Sequence, residues 1–308
     1  MSALILGSVA LDAIKTPFEE HDDLLGGSAS YAAVSSSFFT KPHLVGIVGT
    51  DFPKEHLDYF AECGIDLTGL QIVPGKTFRW SGEYMADMNT RETRSTDLNV
   101  FEHFTPILPE AYRQAEFILL GNIAPALQLH VLDQLIAPRF VVVDTMNLWI
   151  NIAKEELSEL LKRIDMLLIN DTEAHQLTGE INLIKAGKAL RAMGPAYVVI
   201  KKGEHGALLF AENEFFSCAA FPLEKIDDPT GAGDAFAGGV IGYLTSQLVC
   251  SDKKEIDPHL LRRALVYGSV MASFSVENFS INRLRSVTMA DVQERFDRVH
   301  ALSTFEKK

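Results

Sequence analysis

Short apolar runs, most of them closed by Gly, Asp or Asn, recur along the chain at Leu4–Gly7, Leu44–Gly49, Phe117–Gly121, Phe140–Asp144, Met166–Asn170 and Val198–Ile200. Runs of this length without polar alternation predict strands buried on both faces, as in a parallel sheet. Helical periodicity lies between several of them. Ala153–Ile164 places Leu157, Leu160, Leu161 and Ile164 on one stripe, and a second helix, Leu183–Met193, follows the next run. That alternation predicts βαβ units in an α/β fold, a doubly wound, mostly parallel sheet flanked by helices. Met1 to Asp12 is apolar, lacks a basic leader and reads as a first strand rather than a signal peptide.

Residues 77–100 break the rhythm. They alternate, are rich in Thr, Tyr, Trp and Phe, and carry Asn89–Thr90 as a turn, which predicts an antiparallel excursion from the main sheet. It reads either as an edge extension or as a small β-lid over a cleft, with 12–25 as a further contributor. Phe78, Trp80 and Tyr84 have no place in a parallel sheet and favour the lid. Arg79, Arg91 and Arg94 alternate with Glu83, Asp87 and Glu92, the pattern of a solvated charged hairpin rather than of an anion reader. A second small β-meander is expected at Gly206–Phe210 and Phe215–Ala219.

Composition narrows the picture. The 308 residues, 47% hydrophobic and 22% charged, suit one large α/β domain spanning 1–308. A net charge of −13 disfavours nucleic acid and anionic membrane as partners. It leaves nucleotides open, because backbone amides and Mg²⁺ handle phosphates locally. Cys63, Cys218 and Cys250 are scattered and form no C-x-x-C pair, which predicts reduced thiols in a cytoplasmic protein and no structural zinc.

The densest chemistry lies in Asp227-Asp228-Pro229-Thr230-Gly231-Ala232-Gly233-Asp234, followed by a helix with Phe236, Val240, Leu244 and Leu248 on one face. A glycine turn entering a helix presents free amides and a positive helix end, a ready anion site. By itself this remains balanced against a plain helix start with Asp234 as a capping acid. No Gly-Lys-Ser/Thr follows, so it is not a Walker A loop.

This segment resembles the Gly-Ala-Gly-Asp signature of the ribokinase-like (PfkB) carbohydrate and nucleoside kinase family. Other segments resemble that family's motifs in order: Gly26-Gly27-Ser28 with Tyr31, Gly46–Asp51, Gly64-Ile65-Asp66, Asp144 with Asn147, Asn170-Asp171-Thr172-Glu173, and Lys201 to Ala207. The resemblance implies ATP-dependent transfer of the γ-phosphoryl group to a hydroxyl, a CH₂OH of a sugar or sugar-like substrate, or alternatively of a nucleoside. Asp234 would be the general base, and the amides of Ala232, Gly233 and Asp234 the anion site, with Gly231 in the same catalytic turn. Asn170 and Glu173 would act on Mg²⁺ through water, although Asn-x-x-Glu is also a good capping pattern.

Lys201, Gly203 and Gly206 would line the ATP cleft, Lys201 being otherwise an exposed strand-end lysine, and Asn282 would touch the adenine. Asp228 and Thr230 fall where related kinases hold an activating K⁺, but the partner loop Ser275–Ser280 lacks the usual glycine. On the acceptor side, Asp12 would hold substrate hydroxyls, Gly26 and Gly27 would allow close approach, and Tyr31, where Asn is common, would offer a ring. Trp80 adds aromatic surface, for the substrate or for pairing of two lids into a homodimer. Two rival readings are a nucleotide- or metabolite-binding paralogue without catalysis, which the intact Asp234 turn opposes, and a dehydrogenase. The latter lacks its glycine fingerprint at Gly7-Ser8-Val9-Ala10.

Overall fold

The computed structural model describes residues 2–212, 214–248 and 256–304. Cys250 lies outside the described residues; Cys63 and Cys218 are free thiols. The first strand, β1 (Ala3–Leu6), ends earlier than the apolar run suggests, and the chain crosses at once to β2 (Ala10–Lys15). Ser8 turns it there, its amide donating to the Ser28 hydroxyl at 3.2 Å while its own hydroxyl accepts from the Ser28 amide at 3.0 Å. The single strand expected to reach Asp12 is therefore two strands in two different sheets.

There follow β3 (Glu20–Gly26), α1 (Ser28–Ser37), β4 (His43–Gly49), α2 (Lys54–Glu62), β5 (Asp66–Val73), β6 (Phe78–Tyr84), β7 (Arg91–Asp97) and β8 (Phe117–Leu120). Next come α3 (Pro125–Leu132), β9 (Phe140–Asp144), α4 (Asn147–Ile152), α5 (Lys154–Leu161), β10 (Met166–Asn170), α6 (Asp171–Thr178), α7 (Leu183–Ala192) and β11 (Tyr197–Lys201). The chain closes with β12 (Ala207–Phe210), β13 (Phe215–Cys218), α8 (Ala232–Leu248), α9 (Pro258–Ser275) and α10 (Met289–Ser303).

The large sheet has the order β13-β12-β11-β10-β9-β8-β1-β4-β5, parallel throughout except for the antiparallel β12 and β13. Its apolar runs are buried on both faces, which is why they read as unbroken. One hydrophobic cluster fills the side of α1, α8 and α9, and a second fills the side of α3, α5, α6 and α7. No described helix is long and apolar enough to cross a membrane.

The smaller sheet is β3-β2-β6-β7, with β2 parallel to β6 and the other pairs antiparallel. Residues 12–25 thus join 78–97 in it. Alternation along β6 sets Phe78, Trp80 and Tyr84 on one face and Arg79, Ser81 and Glu83 on the other. Lys15, Glu83 and Arg94 link up on the outer face, Lys15 to Glu83 at 3.0 Å, while Arg79 pairs with Asp23. The inner face meets the large body through Ile14, Tyr84 and Phe279. The entry to β6 is pinned by Asp51, whose Oδ1 accepts from the amide of Thr77 at 2.7 Å and from its hydroxyl at 2.6 Å.

Candidate active site

Helix α8 runs through the interior, and its own small residues allow it to. A β-carbon on Gly238 would collide with the carbonyl of Ala32 in α1, and one on Gly239 would come within 3.0 Å of Gly268 in α9. This close packing carries the start of α8 to the carboxyl ends of the central strands, where ligands bind in open α/β sheets.

Before the helix, Asp228 ties two loops together. Its carboxylate accepts from the Thr230 amide at 2.8 Å and from the Ser280 amide at 3.1 Å. Gly231 then takes φ +75°, a left-handed conformation that side chains strain to adopt, with the Tyr31 ring directly beneath it. The Ala235 amide closes the first helical bond to Gly231, at 2.8 Å. The Ala232 amide is turned to Pro229 O at 3.3 Å, so the expected anion site rests on the amides of Gly233 and Asp234.

Asp234 stands in this first turn, half-buried. Burial, then the negative charge of Asp144, push its carboxyl up to about 7, against the pull of Lys201 and Arg91. Lys201, at the end of β11, is not the exposed lysine that a strand end allows. Its ammonium binds both oxygens of Asp144, at 3.0 and 2.7 Å, and lies 3.0 Å from where a β-carbon on Gly233 would stand. Burial alone would lower its proton affinity, but the charges of Asp144 and Glu173 outweigh that and raise it. A fixed cation therefore sits beside the glycine turn.

Asn170 and Glu173 form a complete capping box on α6. The Asn170 side chain accepts from the Glu173 amide at 2.8 Å, and the Glu173 carboxylate accepts from the Asn170 amide at 2.9 Å. Glu173 is nonetheless buried, within the fields of Lys201 and Asp144, and burial pushes it up to about 7. One carboxylate oxygen serves the cap, leaving acceptor capacity for a hydrated ion.

Asp12 lies on β2, directly opposite Trp80 of β6. Gly26 is essential to its placement, because a β-carbon there would overlap the Asp12 carboxylate. Asp12 is 4% exposed, and its Oδ1 has no partner among the described residues. Burial, then the charges of Asp228 and Asp234, push it up to about 8, while the Gly27 amide draws it down. A buried carboxylate oxygen left unpaired is costly unless a ligand completes it.

Tyr31 departs from expectation. Its ring is 1% exposed, packed under Gly231 and not open to an acceptor, and its hydroxyl is unpartnered among the described residues. Trp80 remains on the inner face, with the Arg91 guanidinium 5.0 Å above its ring. Arg91 departs as well: its charge acts on Asp12, Glu173 and Asp234, whereas Arg79 and Arg94 stay in outer ion pairs. The alternation of β7 carried that distinction, since Arg91 and Thr93 share a face that Glu92 and Arg94 do not.

Beyond the turn lies a cavity of about 490 Å³, lined by Lys201, Gly203, Gly206 and Gly233 and by apolar residues that include Phe221 and Val276. Its volume and mixed polar and apolar lining are those of a small-molecule site. Asn282 is not among the lining residues. It is exposed in the turn after Ser280, while Ala272, Ser273 and Val276 near the end of α9 line the cavity.

A doubly wound sheet, a helix start with free amides, a fixed lysine and an adjoining cavity accompany a match to a family of ATP-dependent small-molecule kinases. The chain belongs to the pfkB family of carbohydrate kinases, whose profile matches residues 18–284. It is 33% identical over 255 residues to the cytidine kinase of Thermococcus kodakarensis, covering 79% of this chain and 88% of the relative. The nucleoside kinase of Burkholderia thailandensis, solved with inosine, superposes with a TM-score of 0.74 at 18% identity, covering 97% and 99% of the two chains. The E. coli protein described as Ribokinase II, solved with ATP and Mg²⁺, gives 0.77 at 17% identity over 96% and 99%.

Proposed function

We propose that this kinase transfers the γ-phosphoryl group of ATP to the primary hydroxyl of a nucleoside, with cytidine as the first acceptor to test and Asp234 as general base. The observation that carries this reading is the buried, unpaired Oδ1 of Asp12, in the same electrostatic field as Asp234. One acid is placed to hold neighbouring substrate hydroxyls, which a ribose supplies, and the other to take the proton of the attacking oxygen. Likeness to a cytidine kinase supports a nucleoside over a free sugar.

In the transfer, the acceptor O–H proton passes to the Asp234 carboxylate as its oxygen bonds to the γ-phosphorus. The bond to the β–γ bridging oxygen breaks, and ADP leaves with that electron pair. The amides of Gly233 and Asp234 and the Lys201 ammonium stabilise the charge on the moving group. Asn170 and Glu173 would hold Mg²⁺ through water, and the ion would supply charge neutralisation for the phosphate oxygens. An activating K⁺ at Asp228 and the Thr230 carbonyl belongs to the same reading, because the Asp228 charge is buried and met by amides rather than by an ion pair among the described residues.

The test is ADP release with a panel of nucleosides and sugars, comparing the parent with Asp234→Asn. A nucleoside is expected to stimulate release most, and the variant to lose on the order of 10²–10⁴ in rate while still binding ATP. If ATP binds but no acceptor stimulates release, the chain is a binding protein. Equal turnover by the variant removes Asp234 as the base.

A further inference from the structure

The turn between β6 and β7 reaches past the acceptor side. Asp87, Met88 and Asn89 line the nucleotide cavity from the small sheet, facing Gly203, Glu204 and His205 on the large body. The carboxamide oxygen of Asn89 lies 3.8 Å from where a β-carbon on Gly203 would stand.

This turn is firmly built. The Asp87 carboxylate accepts from the amides of Asn89 and Thr90, at 3.1 and 2.8 Å, and from the Thr90 hydroxyl at 2.6 Å. Met85 and Met88 close a backbone bond of 2.9 Å, and the half-buried Met88 side chain packs beside Ile14, Tyr84 and Phe279. Asp87 is consumed in holding the turn and Met88 in anchoring it. The exposed Asn89 carboxamide has no hydrogen bond among the described residues and faces the cavity opposite Gly203. The same hairpin carries Trp80, opposite Asp12, at the acceptor end.

We propose that the β6–β7 turn is a nucleotide-contacting element, in which Asn89 binds a ribose or phosphate oxygen of ATP across from Gly203. This rests on the kinase reading above.

The test uses AMP-PNP with Mg²⁺ and the full chain, with no acceptor present. Calorimetry on the parent, Asn89→Ala and Asn89→Asp is combined with hydrogen exchange of the amides of residues 78–90. Asn89→Ala is expected to weaken AMP-PNP binding five- to twentyfold with an unchanged melting temperature. Nucleotide is expected to slow exchange across 78–90 in the parent but not in the variant. Asn89→Asp distinguishes the two oxygen sources, losing far more affinity than the alanine variant against phosphate and less against a ribose hydroxyl. Equal affinity of parent and Asn89→Ala, or no nucleotide-dependent protection in the parent, overturns the proposal. Failure of the parent to bind AMP-PNP at all overturns the kinase reading itself.

Discussion

Lys201 and Asp144, fifty-seven positions apart, form a two-pronged ion pair at the ends of β11 and β9, with Lys201 Nζ 2.7 Å from one Asp144 oxygen and 3.0 Å from the other. The lysine is thereby held against the turn that begins α8.

Lys201→Met is expected to cost about 3 kcal/mol of stability, because it strands a buried carboxylate, and to abolish most turnover. Adding Asp144→Asn to it should return much of the stability without returning activity. Urea titrations alongside ADP release check both. Recovery of activity in the double variant would show that the lysine serves only to neutralise Asp144.

Asp12→Asn should raise the acceptor KM roughly 10–100-fold, the worth of a charge-assisted hydrogen bond, and leave the ATP KM unchanged. It should also stabilise the free protein. The folded state holds the Asp12 proton up to about pH 8, well above the ordinary carboxyl range, so ionising it costs stability. That cost is absent below about pH 4 and grows as pH rises to about 8. The melting temperature of the variant should therefore overtake that of the parent progressively across this window and run parallel above it. A constant offset at all pH values would contradict the buried-charge account.

Acceptor kcat/KM should fall on the acid side. In the proposed mechanism Asp234 takes a proton and Asp12 accepts hydroxyls only when ionised, and their carboxyls are pushed up to about 7 and about 8. Between pH 6 and 5 the profile should drop with a slope approaching two on logarithmic axes, and level off above about 8. Asp12→Asn should reduce the slope to one; a slope of one in the parent would leave a single essential acid.

Glu173→Gln and Asn170→Ala separate capping from ion handling. Glutamine can still accept from the Asn170 amide, so Glu173→Gln should preserve stability while raising the Mg²⁺ concentration needed for half-maximal rate several-fold. Asn170→Ala removes the cap and should cost about 1 kcal/mol. Magnesium titrations and thermal melts on both variants decide; an unchanged Mg²⁺ requirement in Glu173→Gln leaves the pair as a cap alone.

Much of this was legible in the chain itself. Continuous apolar runs determined the buried parallel strands, alternation determined the β6–β7 hairpin, and Asn170-x-x-Glu173 determined its own capping box, because each of these signals acts over a few neighbouring residues. The Gly231–Asp234 segment likewise specified a helix start with free amides. Tertiary structure alone decided where these pieces meet. It set Asp12 in the small sheet rather than at the end of the first strand, because Ser8 and Ser28 turn the chain aside. It buried Tyr31 beneath Gly231, where the absence of a β-carbon leaves room for its ring. It left Asn282 outside the cavity and brought Asn89 into it. Periodicity records which face of an element is buried, but not which distant element buries it. The partners of Asp234, Lys201 and Asp12 come from strands and helices far apart in sequence, and the order in which the sheets assemble brings them to one cleft.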